Sequence, residues 1–395
     1  MRKGIISFIA ALMIICSTGC KNPIKGRTEI NKILFATVIG IDKPIEGKDT
    51  VKITITTPGI ESKKPKEGKK QAEPQILTAE GSSFFEALRN FRFFADRKMF
   101  LGHVNFILIG EEAAKENVAD CLDILVRDHE LRLNSKVFVV KGNMAEKVIN
   151  YAAGNDEYLA SQLENLRTNA GGLSHSSGIE LLKVIQTFGK KKSSTYIPYV
   201  TINNTSYPNM TSANKDIYME GYAIFKEMNL IGYIRDGESR GFNWVKNKIE
   251  SGVIVLTTKK DNIVSVEIID SYSKIVPHIT DDHIDVSINL KMSSNIVEIN
   301  GSEKIFDEST IEFLENQQNN IIKSEIQSVI AYAKDTNTDF LDIFSIIEHK
   351  YPVKWAKIKN KKEKAIEDIR FDVEVQSRIN RTYTIKESSS TKGGK

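Results

Sequence analysis

Between Gly252 and Ile299 three runs rich in Val and Ile, GVIVLTT, NIVSVEIIDSYSKIVPHI and HIDVSINLKMSSNIVEI, follow one another with only Lys259–Asn262 and Thr280–Asp282 as polar breaks. Strands this close in sequence can pair antiparallel through a turn, whereas parallel pairing needs a crossover of about a dozen residues. An antiparallel meander is therefore expected. Two helical stretches follow, about Ser309–Lys334 and Asp339–His349, the second capped by Thr338 or Asp339, and then a last strand in FDVEVQSRINRTYTI. Strands, long helices and a closing strand specify an α+β unit with its helices on one face of the sheet.

Upstream, strand and helix alternate. Ile33–Ile41 (ILFATVIGI) is one continuous apolar strand, and Val51–Thr57 (VKITITT) alternates with period two. Ser83 can cap a helix with Glu86 closing the box. Along that helix Phe84, Phe85, Leu88, Phe91 and Phe94 or Ala95 form one broad stripe read as core. A strand ending at Gly110 holds His103 as a satisfied core residue, and Val118, Cys121, Leu122, Leu125 and Val126 recur at helical spacing. SKVFVVKG and NMAEKVINYAA are the next strand and helix, NAGGLSHSSG (Asn169–Gly178) is a loop or linker, and YMEGYAIFKEMNLIGYI is a hairpin turning at Glu227–Asn229. The expected fold is α+β and multi-domain, with mixed or antiparallel sheets carrying packed helices. Three domains are expected: 33–175, 176–250 and 251–386, before a polar tail at 387–395.

The amino terminus reads as a leader. Arg2 and Lys3 precede 11 uncharged apolar residues, Ile5–Ile15. That is too short for a membrane span of roughly 20 residues and fits a secretory core of about 7 to 15. Ser17-Thr18-Gly19-Cys20 resembles the bacterial lipobox, whose cysteine becomes the lipidated first residue of the mature chain; Ser17 stands where lipoboxes usually carry a large aliphatic. The other reading is a plain secretory signal that leaves Cys20 as a free thiol. Residues 1–19 are then the signal peptide and 20–32 a polar tether, with covalent diacylglycerol or acyl lipid on Cys20 and no other cofactor. With Cys16 removed and Cys20 acylated, only Cys121 of the three cysteines remains for disulfide pairing.

A charge of +4 over 395 residues gives no bulk argument for nucleic acid. Nor does any catalytic or metal-binding constellation survive inspection. Gly172-Leu173-Ser174-His175-Ser176 lacks the closing Gly of a nucleophile elbow. Asp335, Asn337 and Asp339 open like a calcium loop, but Phe340 and Ile346 stand where Gly and Glu are needed. His278 and His283 flank Asp281 and Asp282, as a metal hairpin or a plain polar turn. Arg127 and His129 form an acid–base pair or a solvated helix end. No catalytic, cofactor-binding or metal residue is assigned, and no enzyme is expected.

Three stretches resemble the Ger(x)C spore germination lipoproteins, the C subunits of nutrient germinant receptors. They are Gly19-Cys20 with Arg27-Thr28-Glu29-Ile30 and Gly40-Ile41-Asp42; Gly102-His103 with ILIGEEAAKENVADCLDILVRDHELR; and GYAIFKEMNLIGYIRDGESRGFNWV. Pro352-Val-Lys-Trp355 agrees with a Pro-x-x-Trp feature of that family, while Lys21-Asn22 replaces its Trp-Asp. The resemblance implies a three-domain α+β lipoprotein on the outer face of the spore inner membrane. It implies work with two integral membrane subunits, of A and B type, in a complex that responds to a small-molecule germinant, by docking and relay instead of catalysis. The alternative is a solute-binding lipoprotein of a transport system, which requires two comparable lobes around a cleft.

Overall fold

The computed structural model describes residues 29–43, 50–58, 74–127, 130–152, 159–188, 194–202, 217–280, 283–300, 306–358 and 366–380. The first half holds strands β1 (Ile33–Phe35), β2 (Val38–Asp42), β3 (Val51–Thr57) and β4 (Gln75–Gly81), then helix α1 (Phe84–Asn90), β5 (Lys98–Phe100) and β6 (Phe106–Gly110). Helix α2 (Glu111–Arg127), β7 (Lys136–Val140), α3 (Ala145–Ala152), α4 (Leu159–Gly172) and α5 (Leu181–Phe188) follow. Next come β8 (Ser194–Thr201), β9 (Tyr218–Lys226), β10 (Asn229–Arg235) and α6 (Asp236–Val245). The remainder is β11 (Val253–Thr257), β12 (Ile263–Ile279), β13 (Ile284–Asn300), α7 (Glu308–Asp335), α8 (Ile343–Lys350), α9 (Pro352–Ile358) and β14 (Arg370–Asn380).

Eight strands form one mixed sheet in the order β10-β9-β8-β7-β6-β2-β3-β4. Its centre is parallel, β2 to β6 to β7 to β8, and both flanks are antiparallel. Alternate residues of the central strands enter two different cores. Ile39, Ile41, Ile107, Ile109, Val137 and Val139 join one, with α2 and α5. Val38, Phe106, Leu108, Phe138 and Val140 join the other, with α3 and α4. A sheet covered on both faces needs apolar side chains at every position, which is why these strands read as unbroken apolar runs. Strands from both the 33–175 and the 176–250 segments lie in this one sheet.

Two of those runs are broken in a way periodicity does not show. ILFATVIGI stops at Ala36–Thr37, and its first three residues leave the main sheet to pair parallel with β5. Ala36 N–H donates to Phe100 O at 3.1 Å and Thr37 N–H to Thr56 O at 2.9 Å, so the backbone changes partners without losing hydrogen bonds. His103, expected in a strand core, sits exposed in the turn between β5 and β6, its ring 4.8 Å from Phe35.

In the second body β11, β12 and β13 make the expected meander, and α7 lies along one face. The closing strand β14, whose direction the sequence leaves open, departs from the meander pattern by running parallel to β13. The connection through α7, α8 and α9 is long enough for such a crossover. Asn169–Gly178 also departs from a free linker. Its first residues end α4, while Ser174 and Ser176 are buried. Asn243 Nδ2 donates to Ser174 O at 2.6 Å and Ser176 Oγ to Gly221 O at 3.1 Å, which ties the segment to α6 and β9.

Candidate functional site

The central parallel strands end together at Asp42, Gly110 and Val140, beneath a cleft of about 510 Å³ lined by Lys43, Glu111, Asn143, Glu146 and Lys147 among others. Carboxyl ends of parallel strands are the usual ligand position in open α/β sheets. Here the polar groups are turned on one another. The buried Asp42 carboxylate accepts from Ala145 N–H at 2.7 Å and Glu146 N–H at 2.9 Å, filling the α3 amino terminus that an anionic ligand would use. Gly110 makes room for it, because a Cβ there would lie 2.0 Å from Asp42 Oδ1.

Glu111 is equally engaged. Its Oε1 accepts from Tyr233 O–H at 2.8 Å and its Oε2 from Gly142 N–H at 3.0 Å, linking α2, β10 and the turn after β7. Burial lifts the Tyr233 and Tyr199 hydroxyls far above the ordinary phenol range, so both stay neutral donors. Lys141 Nζ lies 4.9 Å from the ring centroids of both tyrosines. Burial and then Arg235 lower its pKa.

A second cluster joins the two bodies. On α6, Arg240 meets Glu325 of α7 through two contacts, Nη2 to Oε1 at 3.0 Å and Nε to Oε2 at 3.2 Å. Trp244 Nε1 donates to the same Oε2 at 2.8 Å. Just beyond α6, Lys248 is enclosed by aromatic rings, its Nζ 4.5 Å from the Tyr196 centroid, and donates to Tyr196 Oη at 2.8 Å and Ser177 Oγ at 3.0 Å. Burial, then Lys246 and Lys183, push this ammonium down to about 8. Neither Glu325 nor Lys248 stands out in the sequence, since their partners lie 52 to 85 residues away.

The residues whose types suggest chemistry fall apart in space. Ser174 is buried, accepts from Glu250 N–H at 3.2 Å and donates to Ser251 O. Asp339 caps α8, accepting from Ile343 N–H and Phe344 N–H at 2.8 Å each. Arg127 pairs with Asp123 at 2.6 Å on its own helix, and His283 Nε2 lies 2.9 Å from Asp285. His129, Asp281, Asp282 and Cys20 lie outside the described residues. Among the described residues, no group of three or more His, Cys, Asp and Glu side chains is placed to hold a metal ion, and no helix is long and apolar enough to cross a membrane.

The two capping carboxylates give a pH dependence. Burial raises Asp42 to about 6 and Asp339 to about 7, in each case against the pull of two backbone N–H groups. The folded pKa lies above the unfolded value near 3.8, so the folded state holds the proton more tightly. Their contribution is full below about pH 4 and is lost as pH rises through 6 and 7. The stability difference between parent and the Asp42→Asn/Asp339→Asn variant is expected to change between pH 4 and 7.5 in urea titrations. A pH-independent difference would refute the assignment.

The class comes from this architecture: a two-body α+β protein whose mixed eight-stranded sheet abuts a four-stranded sheet and its long helix. Two family descriptions match in succession, "Spore germination protein N-terminal domain" over 26–202 and "Spore germination B3/ GerAC like, C-terminal" over 220–383. The chain belongs to this GerAC, or Ger(x)C, family of spore germination proteins. It is similar to spore germination protein KC of Bacillus subtilis (strain 168), at 24% identity over 97% of this chain and 96% of the relative. Spore germination protein B3 of the same organism is 24% identical over 77% of this chain and 79% of its own length. The crystal structure of the GerBC protein shares the fold, with a TM-score of 0.57 and 21% identity, covering 86% of this chain and 96% of that one. The break between the two family matches runs from the end of β8 to the start of β9, inside the eight-stranded sheet.

Proposed function

We propose that the chain is the lipid-anchored C subunit of a nutrient germinant receptor on the outer face of the spore inner membrane. It docks two integral membrane subunits, of A and B type, and relays their response to a small-molecule germinant without bond chemistry of its own. The observation that carries this reading is the end-to-end correspondence with a spore germination protein, 97% of one chain against 96% of the other. The inward-turned polar groups support it: Asp42, Glu111, Arg240, Glu325 and Lys248 engage neighbouring elements of the fold. Continuity of the eight-stranded sheet through β10 favours this reading over the paired lobes of a solute-binding protein.

Anchoring through Cys20 keeps even a modest interface occupied by raising local concentration. Cys20→Ala is expected to release the chain from the membrane fraction and to remove most of the nutrient-triggered germination. Normal germination with unchanged membrane retention would sink the anchoring reading. Mass spectrometry of the native chain reads the lipid directly.

A further inference from the structure

The aromatic segment FFEALRNFRFF divides in two where the sequence predicts one core stripe. Phe84 and Phe91 are buried, but Phe85 is 56%, Phe93 87% and Phe94 53% exposed. For Phe93 and Phe94 the cause is the helical geometry. After Asn90 the α-helix tightens into a 3₁₀ turn, Phe91–Phe93, which alters the angle between successive side chains. Arg89 and Arg92 are exposed beside these rings, and the Arg89 guanidinium lies 4.7 Å from the Phe85 centroid. Phe84–Lys98 carries four cations, Arg89, Arg92, Arg97 and Lys98, against two carboxylates, Glu86 and Asp96; Arg97 lies 3.8 Å from Asp96 and Lys98 3.5 Å from Glu130, so the patch's charge rests on Arg89 and Arg92. Of the two carboxylates, Glu86 accepts the Ser82 N–H at 2.8 Å in the helix cap.

This turn lies beside the entry point of the tether. Lys98 begins β5 and is the register partner of Ile33 in β1, so exposed Ile30 and exposed Phe94 approach the same short strand pair from the two chain segments. Backbone reach keeps them within about 30 Å of each other. Ile30 is ten positions after Cys20, at most about 36 Å when extended. A lipid on such a tether limits the distance of the body from a bilayer but leaves its orientation free.

We propose that Phe85, Phe93 and Phe94, with Arg89 and Arg92, form a second membrane contact that inserts its rings at the headgroup boundary of an anionic bilayer and fixes the orientation of the anchored body. The assignment of the lipid to Cys20 is the reading on which this rests. Aromatic rings beneath the acyl boundary with guanidinium groups at the phosphates is the arrangement of interfacial segments. Phe93, at 87% exposed, is the most accessible of the three rings.

The test uses the full chain with its native lipid, carrying Phe93→Trp, in vesicles rich in phosphatidylglycerol, with the parent spectrum subtracted. The added indole emission is expected to shift to the blue, and lipids brominated in the acyl chain are expected to quench it by about half. In a second arm the Cys20→Ser chain is sedimented with the same vesicles. Phe93→Ser/Phe94→Ser is expected to weaken that binding about tenfold or more, as is replacing phosphatidylglycerol with phosphatidylcholine. Unquenched emission from the added indole, on vesicles that retain the lipidated chain, overturns the patch and leaves the anchor intact. Protection of that indole only when integral receptor subunits are present, without quenching by brominated lipid, assigns the patch to a protein and also overturns it. An unmodified Cys20 in the native chain, with binding still dependent on Phe93 and Phe94, supports the patch and removes the anchor.

Discussion

Glu325→Ala is expected to lower the stability of the folded chain by about 3–5 kcal/mol, the usual cost of removing one partner from a buried ion pair. The Arg240 and Glu325 side chains are 13% and 14% exposed, so both charges have left most of their water behind. Truncation leaves the guanidinium facing α7 with no carboxylate and strips the Trp244 indole N–H of its acceptor. Against a total stability of about 5–15 kcal/mol, that is a large fraction. The loss measures the unpaired groups, not the worth of the pair, and a double substitution separates the two. Arg240→Met with Glu325→Leu removes both charges, and its cost is expected to be well below that of Glu325→Ala alone. Urea unfolding followed by tryptophan emission reads the effect, since Trp244 is itself part of the cluster. A Glu325→Ala chain within about 1 kcal/mol of the parent would show that the junction is hydrated or unformed.

Both halves of this junction are visible in the sequence, but not the junction itself. The helix through SRGFNWVKNKI, just after the hairpin, and the long helix after the meander are each legible from periodicity, and Glu238-x-x-Gly241 belongs to the family resemblance. Pairing Arg240 with a carboxylate 85 residues on needs the fold. The same division holds elsewhere. Capping at Ser83 is legible because its partners lie within four residues, and Glu86 N–H does donate to Ser83 Oγ at 3.2 Å. The hairpin turn is legible too, although Glu227 and Met228 take positive φ of 50° and 77°, a two-residue turn that favours Asn and Gly. Periodicity fails where a run changes sheets at Ala36–Thr37 and where an α-helix tightens into a 3₁₀ turn at Phe91. Neither event alters composition. Parallel β14 is hidden for another reason: alternation is the same whichever way a strand's neighbour runs. Of the candidate site, the Gly40-Ile41-Asp42 and Ile109-Gly110-Glu111 stretches stand out as motifs, and the structure supplies their reason. Asp42 caps α3, Gly110 clears space for that carboxylate, and Glu111 ties three elements together.

Gly241→Ala and Gly237→Ala are expected to act in opposite directions, although both add one methyl to the same helix. An ideal Cβ at Gly241 lies 2.0 Å from the Glu325 carbonyl oxygen and 2.6 Å from its carbon. These are backbone atoms of a 28-residue helix seated along the four-stranded sheet, so relief requires moving α7 or α6 as a whole. The expected loss is about 1–3 kcal/mol, as for other overpacked contacts. At Gly237 the nearest atom is Glu325 Cγ at 3.7 Å, an ordinary contact, and alanine there gains helix propensity worth up to about 1 kcal/mol. Gly237→Ala is therefore expected to leave stability unchanged or raise it. If the two bodies pass a signal through α6, the pair also divides in function. Spores with Gly241→Ala are expected to respond slowly to nutrient at normal protein levels, and spores with Gly237→Ala at the parental rate. Equal behaviour of the two variants in both assays would mean that the close approach of α6 and α7 carries neither the stability expected of it nor a signal.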